Sequence, residues 1–156
     1  MTAAALFYGP PVVAWAAAAY KLPAVRRKRA DPGPRFYWLT LTTLALALTL
    51  LVPSIYVSID HVTGVSNLAR LLGDGFALVT AWSVQAFLAY LNFPAHQAKA
   101  TARRLAYLLL PTLIALSVFF AWVPVEEGAL SFVQRSGDIP SILAYRLVFL
   151  GFLGLA

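Results

Sequence analysis

A chain of 156 residues that is 61% hydrophobic and only 12% charged has too little polar surface to form a water-soluble domain. Its mean hydropathy of +0.77 agrees with this, and the absence of cysteine excludes disulfides, thiolate zinc sites and catalytic thiols. A net charge of +6 would favour nucleic-acid binding in a soluble protein, but here the basic residues lie between apolar segments.

Five apolar segments alternate with short polar loops along the chain. A helix of about 20 residues crosses a hydrocarbon core of roughly 30 Å. Because the segments lack the strict alternation of barrel strands, the sequence predicts an all-α polytopic transmembrane helix bundle of four or five spans, forming one domain over residues 1–156. The predicted spans are 3–22, 36–59, 66–91, 105–125 and 140–156.

Prolines are expected to limit the first two helices. Residues 9–11, Gly-Pro-Pro, should start or kink the first helix. Residues 30–34, Ala-Asp-Pro-Gly-Pro, should form a turn that cannot continue a helix. Pro53 lies near the end of the second predicted span, where a kink costs little.

Nearly all lysines and arginines lie in every second loop. These basic loops contain Arg26, Arg27, Lys28 and Arg29 after the first segment, and Lys99, Arg103 and Arg104 after the third. The positive-inside rule therefore predicts a multi-pass plasma-membrane protein with cytoplasmic basic loops and an outside N-terminus. The first run is interpreted as a topology anchor that contacts anionic lipids of the bilayer. No aromatic residues interleave with that run, so nucleic acid is not an expected partner.

The third segment carries a polar stripe. Arg70 and Asp74 are four residues apart and share a helix face, and Asn67, Asp74 and Gln85 recur within about 20° of one another. One interpretation is a polar pathway or binding site reached from outside, with Asp74 as the ion or proton acceptor and Arg70 tuning it. Another is an intrahelical ion pair, with Asn67 and Gln85 bonding to other helices. A third interpretation is that the helix begins only near Phe76.

The fifth segment repeats part of the third. Residues 66–71 and 141–147 both read as a serine N-cap followed, just past the first turn, by an arginine. Duplication and shared interface chemistry both explain the likeness. Arg146 therefore joins Asn67, Arg70, Asp74 and Gln85 as a candidate intramembrane polar residue. Because the fifth segment is short and has no basic flank, we expect a longer natural protein that continues into a further C-terminal region. The other expected partners of this chain are a second copy of itself or that C-terminal region.

Acidic residues and one histidine lie in the two loops on the predicted outer side. They are Asp60, His61, Glu126, Glu127 and Asp138. A loose cation site, an external pH sensor and ordinary solvated charges are all compatible with them. None has metal-ligand spacing, and the chain lacks nucleophile-elbow, phosphate-loop and dinucleotide motifs. We therefore predict no catalytic residues, no metal, no cofactor and no enzymatic activity.

Residues 62–72, Val-Thr-Gly-Val-Ser-Asn-Leu-Ala-Arg-Leu-Leu, are followed by Ala81-Trp82 and preceded by an aromatic-flanked, Leu/Ala-rich segment. This order resembles an actinobacterial family of multi-spanning membrane proteins over most of the chain, although Ser66 stands where a proline is expected. Members are regarded as transporters of unknown substrate, with further spans and a cytoplasmic C-terminal region. The resemblance implies a transporter or permease-like component; the alternative is a membrane sensor or anchoring module whose output region lies beyond this chain.

Overall fold

The computed structural model describes residues 3–27, 31–65 and 67–122, together with residues 147 and 151. Within these residues the elements are α1 (Ala3–Arg27), α2 (Pro32–Leu50), α3 (Pro53–Thr63), α4 (Leu68–Asn92) and α5 (Ala95–Trp122). The predicted all-α class is therefore confirmed for this part of the chain. The predicted span at 140–156 falls outside the described residues, apart from two isolated positions.

Two of the described helices are long and apolar enough to cross a membrane. They are α4, with a mean hydropathy of 1.4, and α5, with 1.9. Helices α2 and α3 meet the same criterion only as a pair, and they bend by 79° at their junction. The described residues thus support a membrane protein with two spans, or three if the bent pair is one span, rather than the four or five predicted.

The four long helices pack as an antiparallel row in chain order. Helix α1 packs on α2, α2 on α4, and α4 on α5, while the short α3 contacts the ends of α2 and α4. The indole nitrogen of Trp38 donates to the carbonyl of Ala18 at 3.1 Å, and that of Trp15 to the hydroxyl of Thr49 at 3.1 Å. Residue numbers therefore rise along one helix as they fall along its neighbour.

Two expectations about prolines in the first half of the chain differ in part from the structure, namely the helix start at residues 9–11 and the turn at residues 32–34. Helix α1 begins at Ala3 and continues through Pro10 and Pro11, so the prolines do not start it. Residues 32–34 form the first turn of α2 instead of a separate turn. Asp31 is the N-cap and accepts the Gly33 N–H at 3.0 Å, and a proline in the first turn removes an N–H that has no helical partner anyway.

The predicted second span, 36–59, is not one continuous helix. Val52 is extended, with φ −68° and ψ 123°, as a residue before proline prefers, and Pro53 opens α3. The last carbonyls of α2 are satisfied locally, because Leu51 N–H donates to Leu48 at 3.3 Å and Val52 N–H donates to Thr49 at 3.1 Å. Two of the carbonyls at the end of α2 therefore have donors although the helix ends inside the apolar segment.

The predicted basic loop between the third and fourth spans is mostly helix. Helix α5 begins at Ala95, so its basic residues lie on its first three turns, and the connection is reduced to Phe93 and Pro94. Ala98 and Ala102 are buried, and the indole of Trp82 donates to the Ala102 carbonyl at 2.9 Å. This contact with α4 extends α5 beyond its apolar part.

Small residues and leucines form the interior of the row. Leu78, Leu109 and Leu116 make the buried cluster between α4 and α5. Alanines are buried on α2 and α4, and a Cβ added at Gly73 would lie 3.8 Å from the Ala47 carbonyl oxygen. Close approach of helix backbones through small residues is typical of packing in lipid.

Candidate functional site

The turn between α3 and α4 folds α3 back onto the first turns of α4. Gly64 ends α3 in the left-handed conformation, with φ 68°, and its N–H donates to the Asp60 carbonyl at 2.9 Å. Asn67 is also left-handed, with φ 65°, and is the N-cap of α4. Glycine and asparagine are the residues that tolerate this conformation best, so the local sequence suits the reversal. The predicted serine N-cap, Ser66, lies outside the described residues.

Asn67 joins the two helices through its backbone and its side chain. Its backbone N–H donates to Oδ2 of Asp60 at 2.7 Å, and its side-chain oxygen accepts a hydrogen bond from the hydroxyl of Tyr56. Asn67 is only 8% exposed. The residue predicted to lie within a polar stripe is therefore the buried link between α3 and α4.

Arg70 and Asp74 complete the polar surface that α3 meets. Arg70 Nε lies 3.8 Å from Asp74 Oδ2, with side-chain exposures of 27% and 21%. The Tyr56 hydroxyl lies within electrostatic reach of Asp60, Arg70 and Asp74. We call these five residues, Tyr56, Asp60, Asn67, Arg70 and Asp74, the α3–α4 cluster. Its two carboxylates and one guanidinium give it a formal charge of −1.

One oxygen of the α3–α4 cluster has no hydrogen-bond donor. Oδ1 of Asp60 is buried, and among the described residues nothing donates to it, whereas Oδ2 accepts the Asn67 N–H. An unsatisfied buried acceptor costs about 1–3 kcal/mol, and more when it is charged. This oxygen is therefore the place in the cluster where a proton or a cation would be stabilised.

Gln85 does not belong to the α3–α4 cluster. It lies 11 residues beyond Asp74, about 16 Å along the helix, and makes no side-chain hydrogen bond to any described residue. Ala81 occupies the intervening position on that face. The structure thus brings together three of the predicted polar residues, Asn67, Arg70 and Asp74, but not Gln85. Arg146 lies outside the described residues.

Four hydroxyls link α2 and α4 near mid-helix, and we call them the hydroxyl ladder. Thr40 Oγ1 lies 2.9 Å from Ser83 Oγ, and Thr80 donates to Thr43 Oγ1 at 2.8 Å. Ser83 and Thr43 are buried, at 0% and 5% exposure. Thr40 and Thr43 also bond back to carbonyls of their own helix, as threonines in helices commonly do. Their contacts with a second helix were not predicted.

Apart from Arg70, the lysines and arginines of the described helices gather at the end of the row opposite the α3–α4 cluster. This end holds the last turns of α1 and α4 and the first turns of α2 and α5. Arg26 and Arg27 lie in the last turn of α1, where positive charge complements the helix dipole. The other two predicted anchor residues, Lys28 and Arg29, fall outside the described residues. The charge asymmetry in sequence is therefore also an asymmetry in space.

The acidic residues and the histidine predicted to lie in the two outer loops are only partly described. Asp60 and His61 lie on α3 and not in a loop, while Glu126, Glu127 and Asp138 fall outside the described residues. The described ranges contain no group of three or more His, Cys, Asp or Glu side chains suited to a metal ion.

Two members of the α3–α4 cluster were not placed with the other three from the sequence: Tyr56 was not singled out at all, and Asp60 was considered only as part of a loose cation site in the outer loops. The usable signal was their spacing of four residues directly after Pro53, which places both on one face of a helix that begins there.

Compared with protein-family models, with curated proteins and with solved structures, the chain matches none.

Proposed function

We propose that this protein is a multi-spanning plasma-membrane component of permease type, whose α3–α4 cluster accepts a proton or a small cation from the outer side. In this proposal α4, α5 and the bent α2–α3 pair are spans. Helix α1 and residues 140–156 complete the four or five spans expected from the sequence. The basic end of the row faces the cytoplasm.

The buried Asp60 Oδ1 carries this proposal. A carboxylate oxygen without a donor at the membrane boundary is costly unless it is protonated or coordinated to a cation. Asp74 adds a second carboxylate that Arg70 neutralises in part, which leaves the excess negative charge for the ligand. With only two carboxylates among its described members, the cluster suits a proton or a monovalent cation better than a tightly held divalent metal.

The hydroxyl ladder supports an extension of polar groups into the membrane. Ser83 lies nine residues beyond Asp74, so polar side chains continue past the middle of α4, but on the face about 180° away from Asp74. Hydroxyls that both donate and accept can exchange partners along a helix interface. In this proposal the ladder is a second polar surface, at the contact of α2 with α4, separate from the α3–α4 cluster.

A second candidate function is a membrane sensor or anchoring module. The observation that favours it is the 79° bend between α2 and α3, which sets α3 across the end of the row, held to α4 largely through Asn67. Ligand binding or protonation at Asp60 would change how α3 docks, and a C-terminal region would transmit that change. Cation-dependent docking without flux would favour this function over transport.

The test measures the cation dependence of stability together with ion flux. Asp60→Asn keeps an oxygen that can accept the Asn67 N–H but removes the charge, and Asp74→Asn removes the second carboxylate. Asp31→Asn is the matched control, because asparagine is an equally good N-cap at the far end of the row.

For the unaltered protein in detergent, we expect Na⁺ or K⁺ at a hundredfold excess over Kd to add about 2.7 kcal/mol of stability, measured as a rise in the thermal midpoint. Asp60→Asn and Asp74→Asn should abolish this effect and any ion uptake into proteoliposomes, while Asp31→Asn should retain both. Unchanged cation dependence and flux in both cluster variants would rule the proposal out.

A further inference from the structure

A groove lies where α1 ends and α2 begins, at the basic end of the row. It has a volume of about 420 Å³, and we call it the α1–α2 groove. Its lining consists of Val25, Arg26, Arg35, Trp38 and Leu39. Three of these residues are apolar or aromatic and two carry guanidinium groups. One concave surface therefore presents both an apolar wall and two permanent positive charges.

The electrostatic surroundings of the α1–α2 groove are strongly positive. The described lysines and arginines at this end are Lys21, Arg26, Arg27, Arg35, Lys99, Arg103 and Arg104. Asp31 is the only acidic residue in the described part of this end, so positive charge exceeds negative charge there. Arg26 and Arg35 are both exposed, so their guanidiniums lie where an anion in the surrounding solvent or lipid can reach them.

The apolar wall distinguishes the occupant from a free anion. Trp38 uses its indole N–H on the Ala18 carbonyl at 3.1 Å, so its contribution to the groove is the remainder of its ring. Val25 and Leu39 add aliphatic surface from the two helices. Inorganic phosphate would use the two arginines but leave this wall bare, whereas a phospholipid places a phosphate and an acyl chain in the same molecule.

We propose that the α1–α2 groove is a binding site for one anionic phospholipid, with its phosphate held between Arg26 and Arg35 and the start of an acyl chain against Val25, Trp38 and Leu39. Guanidinium forks match phosphate oxygens in charge and in geometry. This inference rests on the proposed membrane insertion but not on the cation site. It adds Arg35 and the apolar wall to the general lipid contact expected of the basic run.

The test is a lipid titration of the detergent-solubilised protein, read by native mass spectrometry. Phosphatidylglycerol and phosphatidylcholine of identical chains are compared for the Kd of the first bound lipid. The variant is Arg26→Gln with Arg35→Gln. Its matched control is Arg103→Gln with Arg104→Gln, which removes two exposed arginines from the same end of the row but outside the groove.

An arginine contributes about 1 kcal/mol near an anionic headgroup, or about fivefold in affinity, so the groove variant should weaken phosphatidylglycerol binding about 25-fold. The control should change it less than threefold, phosphatidylcholine should bind weakly to all three proteins, and millimolar inorganic phosphate should not compete. If the double variant is not monodisperse, Arg26→Gln alone should show about a fivefold loss.

Equal losses in the groove variant and the control would mean that diffuse charge attracts the lipid, and would overturn the proposal. Efficient competition by phosphate would show a free-anion site and would also overturn it. Because the titration is done in detergent and measures no flux, its failure leaves the α3–α4 cluster untouched. Failure of the cation experiment likewise leaves the lipid result standing.

Discussion

Replacement of Asn67 by alanine should release α3 from α4, because Asn67 is the residue that ties the two helices together. The alanine variant loses the acceptor for the part-buried Tyr56 hydroxyl, and leaving such a hydroxyl without its partner costs about 1–3 kcal/mol. Alanine must also adopt the left-handed conformation at φ 65°, which costs about 1–2 kcal/mol. The docked state of α3 should therefore lose about 2–5 kcal/mol.

Two further variants separate these contributions. Asn67→Gly removes the side-chain bond but accepts the left-handed backbone, so it should cost about 1–2 kcal/mol less than alanine. Asn92→Ala is the matched control, because Asn92 lies exposed at the opposite end of α4 and its side chain bonds only to Leu88 of its own helix, at 2.9 Å.

Hydrogen exchange of residues 53–63, followed by mass spectrometry in detergent or nanodiscs, measures this docking. Each 1.4 kcal/mol corresponds to a tenfold change in the open fraction, so Asn67→Ala should speed exchange by at least about 25-fold, while α4 and α5 keep their protection. Unchanged exchange in Asn67→Ala, or equal acceleration in Asn92→Ala, would refute the inference that Asn67 holds α3.

Two further predictions concern the contact between α2 and α4. Thr43→Val removes one member of the hydroxyl ladder and should lower stability by about 0.6–2 kcal/mol in thermal unfolding. Among the described residues, the hydroxyl of Thr112 bonds only within α5, so the control Thr112→Val should have a smaller effect. Equal effects of the two variants would mean that the interhelical bond contributes nothing. Gly73→Ala should be tolerated, because its Cβ would make ordinary contacts at 3.8 Å with Ala47 and Leu50. Gly73→Leu should push α2 away from α4 and lower the thermal midpoint markedly. A leucine variant as stable as the alanine variant would contradict the close approach of the two helices.

Helix α4 shows what the sequence was able to predict. It spans Leu68–Asn92, against a predicted 66–91, because an apolar segment without proline has one regular conformation available in lipid. The pairing of Arg70 with Asp74 also followed from spacing alone, since residues four apart on a helix are neighbours.

The break at Pro53 and the early start of α5 were not predictable in the same way. Whether a proline ends a helix or only kinks it depends on whether other groups satisfy the freed carbonyls, as Leu51 and Val52 do here. Helix α5 extends through polar residues because Ala98 and Ala102 are buried against α4, which is a tertiary effect.

The α3–α4 cluster was predictable only on the α4 side for the same reason. The spacing within α4 identified Asn67, Arg70 and Asp74, but it contains no information on which other element covers them. Tyr56 and Asp60 join the cluster because the left-handed Gly64 and Asn67 fold α3 back, and that path is set by the turn and by burial.

The central claim, that the chain crosses the membrane with its basic end in the cytoplasm, is tested most directly by cysteine labelling. The chain has no native cysteine, so His61→Cys on α3 and His96→Cys on α5 each introduce a single thiol at an exposed position, one at either end of the row. A membrane-impermeant maleimide should label His61→Cys on intact cells and His96→Cys only after permeabilisation. Labelling of His96→Cys on intact cells with protection of His61→Cys, or recovery of the chain in the detergent-free soluble fraction, would contradict the account.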